Sequence, residues 1–281
     1  MTAPVVTNPV DKPTVGSTPL APGRQGMHPA VTTAWSLLVF VIFIAGWQAL
    51  YHFEIVHSII LPPPLEVAAA LGELVTGPEF FNHLGITMFE AVAGFILGGT
   101  AGFAFALADV LSPVARRALR PYIVMLQAMP KIALVPLVIT WLGFGPASKI
   151  AQATVLSFFP VFANTVVGLS VLDDFTVPLM RSLTATKWQI LRYLRLPSAM
   201  PAFFAGLRTA LTFALIGAVV SEMIAARAGL GMMLTRFQAG FDIALMYAAI
   251  IVLAAVGVVL FLLIAWVDRK VIFWRKDRSF F

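Results

Sequence analysis

The chain has 281 residues, of which 60 % are hydrophobic and only 11 % charged, and its formal net charge is +6. Soluble domains carry about 25 % charged residues, so a chain this poor in charge must be solvated largely by lipid. Cysteine is absent, which excludes disulfides and thiolate chemistry, and the four histidines (His28, His52, His57, His83) show no metal-ligand spacing. The basic residues gather at the ends of apolar runs, which is the pattern of membrane topology and not of a nucleic-acid-binding patch.

Residues 1–30 are rich in Pro, Thr, Val and Gly without helical periodicity and read as a disordered cytoplasmic tail. The transmembrane body is expected over residues 31–270, followed by a basic cytoplasmic tail over 271–281. A first apolar run spans about Thr32 to Tyr51. It lacks a small-x-small cleavage site and reads as a retained span, not a signal peptide. Leu61-Pro62-Pro63-Pro64 then breaks the chain, and Leu65 to Val75 has the pattern of a short amphipathic helix.

The second span is expected at Leu84–Ala108. A connection bearing Arg116, Arg117 and Arg120 leads to a third at Tyr122–Leu142, where Pro130 and Pro136 should kink the helix. The turn Gly143-Phe144-Gly145-Pro146 precedes a fourth span at Ile150–Leu172. After a charged stretch, Asp173–Pro201, come the fifth at Ala202–Ala225 and the sixth at Ala244–Val267. The fold class is therefore all-α: a polytopic membrane protein of about six transmembrane helices. Six spans put both termini on one side, which holds sixteen of the nineteen Lys and Arg residues; only Lys149, Arg227 and Arg236 fall on the other. The positive-inside rule assigns the crowded side, and both termini, to the cytoplasm.

Residues 177–197 are too charged to span a membrane and too periodic for an irregular loop. Leu179, Met180 and Leu183 share one helical face, and Ile190, Leu191 and Leu194 another. Between them, Thr186-x-x-Gln189 has the form of a capping box, and Pro197 and Pro201 should limit the second helix. Two short amphipathic helices on the cytoplasmic side each need a cover, which is either anionic lipid or a partner protein.

Here the sequence resembles a known family. Leu183-Thr184-Ala185-Thr186, Trp188-Gln189, Leu196-Pro197, Pro201 and Gly206-Leu207-Arg208 are similar to the cytoplasmic "EAA" loop of ABC-importer permeases. Leu61-Pro62-x-Pro64, Gln127-x-x-Pro130, Pro136, Trp141-x-Gly143-x-Gly145, Ser148-Lys149-Ile150, Phe158-Phe159-Pro160, Asn164-Thr165, Gly168-Leu169, Glu222 and Gly229-Leu230-Gly231 resemble the branch that takes up nitrate, sulfonates, taurine and related small molecules. Two departures stand out: the family's glycine between the loop helices is Thr184, and its acidic-Ala start is Leu179-Met180-Arg181.

The resemblance implies a permease in a bacterial inner membrane. Its substrate would be a small solute, nitrate-, sulfonate- or taurine-like or a vitamin precursor, delivered by an external substrate-binding protein. The implied partners are two ABC ATPase subunits and a second permease, most simply a homodimer. The implied ATPase contact is Leu179, Arg181, Leu183, Thr184, Ala185, Thr186, Trp188, Gln189, Leu196 and Pro197. No Gly-x-x-x-x-Gly-Lys-Ser/Thr run occurs, so no cofactor is expected on this chain, and ATP and Mg belong to the ATPase.

Two acids fall within spans. Glu90 heads a stripe of Gly94, Gly98 and Gly102, and Glu222 ends a stripe of Gly206, Ala210, Ala214 and Ala218. Small residues at this spacing let helices approach closely, so both acids should point into protein. An intramembrane acid is either a structural carboxylate or part of the path. Gln127, Lys131, Gln152 and Asn164 pose the same choice, and Glu90, Gln127, Asn164 and Glu222 are the path candidates. An ATP-independent transporter or channel would need an internal repeat or a dense polar path, and an intramembrane enzyme would need a clustered nucleophile and base. The sequence displays neither.

Overall fold

A computed structural model describes residues 29–57, 59–170 and 176–274, and every regular element within them is helical. The expected tails, 1–30 and 271–281, lie outside the described residues except at their inner ends, where helix already begins at Pro29 and the last helix runs on to Val271. α1 (Pro29–His52) is apolar and long enough to cross a bilayer. The chain from Leu50 onward forms a separate packed unit. It opens with α2 (Pro64–Thr76), which starts after Pro63 with Pro64 in its first turn and buries Val67, Ala70 and Leu74.

Three uninterrupted helices of this unit also have the length and hydropathy of a span: α3 (Phe80–Leu111), α6 (Pro146–Ser170) and α11 (Ile243–Val271). So does a continuous helix from Lys187 to Ala225, 39 residues in all. It comprises α8 (Lys187–Ile190), a π turn at Leu191–Arg195 and α9 (Leu196–Ala225). The remaining span is broken. α4 (Pro113–Ala128) stops before Pro130, and a 3-10 turn (Lys131–Leu134) leads into α5 (Val135–Leu142), with a bend of 93°. Pro130 sits at the break, as expected, but Pro136 does not kink anything. It occupies the first turn of α5, where its missing N–H costs no helical bond. Two shorter helices complete the fold, α7 (Thr176–Ser182) and α10 (Leu230–Ala239).

α6 is the central element and packs along both α3 and α9. The contact is close because the facing residues are small: Ala91, Ala153, Ala214 and Ala218 are all 0 % exposed. The glycine stripe of α3 lies on the backbone of α6. A Cβ on Gly94 would stand 2.9 Å from the Ile150 carbonyl, and one on Gly102 would stand 2.7 Å from that of Phe158. At the far end of α3, buried Asp109 ties down α4. Arg120 donates to its two carboxylate oxygens at 3.1 and 3.2 Å, and Arg116 Nε donates to its backbone carbonyl at 3.0 Å.

One expectation about the segment between the fourth and fifth spans is overturned. Pro197 and Pro201 do not end a second loop helix; α8 continues through both into the fifth span. Pro197 lies at the start of α9, directly after the π turn, whose looser spacing accommodates the missing donor.

Candidate functional site: a cavity at the broken span, a polar lock and an exposed loop helix

The bend between α4 and α5 frees backbone groups that need partners. Gln152, on α6 and wholly buried, donates to the Lys131 carbonyl at 2.8 Å and holds the bend in place. The Lys131 ammonium donates back to the Gln127 carbonyl at 3.1 Å and stands 4.7 Å from the centre of the Phe159 ring. These groups line a cavity of about 630 Å³. Gln127, Lys131, Phe159, Asn164, Thr209 and Phe213 give it a mixed amide, cationic and aromatic wall, drawn from the bend, α6 and α9. Such a volume and lining suit a small solute. Two of the four path candidates, Gln127 and Asn164, therefore meet in one cavity.

Glu90 and Glu222 are not among its lining residues. Glu222 belongs to a buried polar lock that seats α10, and Glu90 is buried next to it with its Oε2 unpartnered. The first N–H groups of α10 have no partners within the helix and take side-chain acceptors instead. Gly229 donates to His83 Nδ1 at 2.9 Å, Leu230 to Thr87 Oγ1 at 2.8 Å, and Gly231 to Glu222 Oε2 at 2.7 Å. Thr87 in turn donates to Glu222 Oε1 at 2.7 Å. A carboxylate at a helix N-terminus is favoured by the helix dipole. The Gly229-Leu230-Gly231 motif follows from this seat. Gly229 has φ of 115°, and a Cβ on Gly231 would stand 2.7 Å from the Glu222 Cβ.

Lys149, expected as an external charge, is 2 % exposed. Its ammonium donates to the carbonyls of Phe144, Gly145 and Ala225, so all three donors are used and the end of α9 is capped. Lys131, counted among the cytoplasmic cations, sits instead at the bend of the broken span. Removing it leaves fifteen against three, and the asymmetry keeps its sign.

The segment expected to meet an ATPase starts at α7, and its link to α6 at residues 171–175 lies outside the described residues. α7 ends in a Schellman motif. Thr184 N–H donates to the Arg181 carbonyl at 2.9 Å and Ala185 N–H to that of Met180 at 3.0 Å. This places Thr184 at φ of 60°, the left-handed position that the family fills with glycine. The Thr186–Gln189 capping box forms as expected, with bonds of 2.7 and 3.3 Å. Leu179, Arg181, Leu183, Thr184, Thr186, Trp188 and Gln189 are exposed, while Ala185, Leu196 and Pro197 are half-buried. Leu191 is buried with Leu169 and Ala199 and roots the helix on the membrane body.

A family model described as "binding-protein-dependent transport system inner membrane component" matches residues 94–273. The chain belongs to this family. It is 31 % identical over 241 residues to the putative aliphatic sulfonates transport permease of Bacillus subtilis, covering 86 % of this chain and 87 % of that one. It is 32 % identical over 249 residues to the riboflavin transport system permease of Chloroflexus aurantiacus, covering 89 % and 92 %. A solved structure titled as an amino acid ABC transporter with histidines shares the fold, with a TM-score of 0.57 at 18 % identity, over 70 % of this chain and 94 % of that one. This protein is thus a multi-pass inner-membrane permease of an ABC importer, a transport subunit and not an enzyme, with ATP hydrolysed on a separate subunit. Family membership brings an ATPase and a substrate-binding protein as partners.

The sequence reading missed α10 as a helix and the parts that His83, Thr87 and Asp109 play. A usable signal existed only for Asp109, which precedes two arginines by seven and eleven residues across a Ser-Pro break.

Proposed function

We propose that the cavity at the broken span is part of the translocation path, lined by Gln127 and Asn164, and that α7 and α8 receive the ATPase's movement. The observation that carries this reading is the continuity of the helix Lys187–Ala225. Its first turn presents exposed Trp188, after a loop that exposes Leu179 and Leu183, and further along it supplies Thr209, Phe213 and Ile216 to the cavity wall. At 1.5 Å per residue such a helix is about 58 Å long, and a displacement of its first turns is carried toward the cavity with no break in the helix. Glu222 acts beside the path by keeping α3, α9 and α10 together, with Glu90 buried next to it.

The assembly proposed is two copies of this permease with two ATPase subunits that hold ATP and Mg, and both termini in the cytoplasm. The contact residues are Leu179, Arg181, Leu183, Thr184, Ala185, Thr186, Trp188, Gln189, Leu196 and Pro197. The solute is a small organic or inorganic molecule, in keeping with relatives named for sulfonates and for riboflavin. The variants to make are Leu183→Glu and Ala185→Glu. A charge buried in a protein contact costs on the order of a few kcal/mol, so membrane insertion should persist while import is lost and the ATPase binds weakly or hydrolyses ATP without import. Normal import by both variants with the ATPase bound would make α7 a helix lying on lipid.

A further inference from the structure

Most charged groups within the membrane body are matched; the exceptions are Glu90, whose Oε2 is buried without a hydrogen-bond partner, and Lys131, which alone of the two lines the cavity. Asp109 has Arg116 and Arg120, and Arg208 is bonded to Asp268. Lys149 has three carbonyls, and Glu222 accepts from Thr87 and Gly231. Lys131 is half-buried in the cavity wall and makes one hydrogen bond, to the Gln127 carbonyl, plus the contact with the Phe159 ring. Among the described residues no carboxylate pairs with it, and the cavity lining contains no acid at all. A cation in a membrane-spanning segment is costly, and such residues face a cavity and attend a partner. Here the partner position is the cavity, and the rest of its wall is the apolar surface of Met129, Ile132, Leu156, Phe213 and Ile216 with a few amide and hydroxyl groups.

We propose that Lys131 makes this cavity a selective binding site for small organic anions: an acidic head at the ammonium and an apolar body against the aromatic and aliphatic wall. The proposal rests on the cavity being open to solutes, as the translocation reading requires. The backbone supports it. The Gln152–Lys131 bond fixes the bend, so the ammonium is held by a pinned turn and not by a mobile loop. The ring of Phe159 favours a cation without neutralising it, and the ammonium keeps its charge for a ligand.

The native chain has no cysteine, which allows a direct test on the full protein. Ala163 lines the cavity and is half-buried, so Ala163→Cys places a single thiol there. Two reagents of the same reactive group and opposite charge are compared, 2-sulfonatoethyl and 2-(trimethylammonio)ethyl methanethiosulfonate. Each forms a mixed disulfide with the thiolate and releases methanesulfinate. The ratio of their rates, relative to the ratio on free cysteine, cancels any effect of Lys131 on the thiol itself. In neutral maltoside micelles the anionic reagent should be favoured on the order of tenfold. Adding Lys131→Gln should abolish the preference, and Lys131→Arg should keep it.

A ratio unchanged by Lys131→Gln overturns the proposal while leaving the path reading intact. A preference that disappears when phosphatidylglycerol is added assigns the ammonium to a lipid headgroup and also overturns it. If neither reagent modifies Ala163→Cys while both modify an exposed control at Ser198→Cys, the cavity is closed to solutes and the path reading falls with the proposal.

Discussion

Substituting Gly98 tests the packing that holds the membrane body together. A Cβ at this position would fall against the Ser157 hydroxyl and the Thr154 carbonyl, and 3.0 Å from the Phe158 amide nitrogen. Two of these three are backbone atoms of α6, which cannot rotate away as a side-chain end can. α6 is itself pressed against α9, where a Cβ on Gly217 would stand 3.0 Å from the Ala153 Cα. The extra methyl is therefore accommodated only by moving α3 off α6. Overpacking of this kind costs typically 1–3 kcal/mol, and backbone on both sides places Gly98→Ala at the upper end, about 3 kcal/mol. For a chain of this size 1 kcal/mol shifts Tm by about 2–4 °C, so a fall of roughly 6–12 °C is expected. The control is Gly72→Ala on α2, where nothing lies within 4 Å of the added Cβ. There the better helix former should leave stability unchanged or raise it by about 0.5–1 kcal/mol, so Tm should not fall. Intrinsic fluorescence during heating of the detergent-purified protein, with size-exclusion profiles, measures both. A Gly98→Ala protein that melts at or above the parent would refute the α3–α6 contact as described.

Two further outcomes follow from the cytoplasmic segment and the charge distribution. Thr184→Gly should relieve a β-branched residue held at φ of 60°, raising Tm by about 2 °C and slowing cleavage of the loop at Arg181 by trypsin; a lower Tm would mean that the turn is not strained. Single cysteines at Ser58 and Ser279, which both lie outside the described residues, should react with membrane-impermeant reagents from opposite sides of sealed cells, and reaction of both from outside would reverse the proposed orientation.

The spans were legible because a bilayer imposes a minimum length on any apolar helix, and runs such as Ala244–Val267 have no competing reading. Thr186 and Gln189 were legible because a capping box is complete within four residues. α10 was not, because what seats its first turn comes from elsewhere: His83 and Thr87 are 146 and 143 residues away from the amides they accept. Pro197 misled because its helix-limiting tendency is local, whereas the π turn and the burial of Leu191 against Leu169 hold the helix together through it. Pro130 marked a kink but gave no angle. The 93° bend depends on a buried amide, Gln152, that no local pattern connects to Lys131.

The matched charges sit at joints between helices, and their positions suggest how one push could open one cavity. Arg208 and Asp268 join α9 to α11, and Lys149 joins the end of α9 to the start of α6. Glu222, with Thr87, joins α9 to α3 and to the head of α10. Buried bonds of this kind are expensive to break singly, because each partner left behind loses a charge-assisted bond in an apolar setting. A displacement delivered to α8 is therefore expected to be shared by α3, α6, α9 and α11 as a block. The bend between α4 and α5 is tied to that block by Asp109 below and by the Gln152–Lys131 bond at the cavity itself. A neutral hydrogen bond to a backbone carbonyl contributes about 1 kcal/mol net, less than a buried charged joint. At the cavity the bend is thus joined to the block by a bond weaker than the charged joints, at the point where Lys131, the one cation among the lining residues, stands. The Leu183 and Ala185 variants report on whether the push arrives, and the Ala163→Cys labelling on what the cavity then admits.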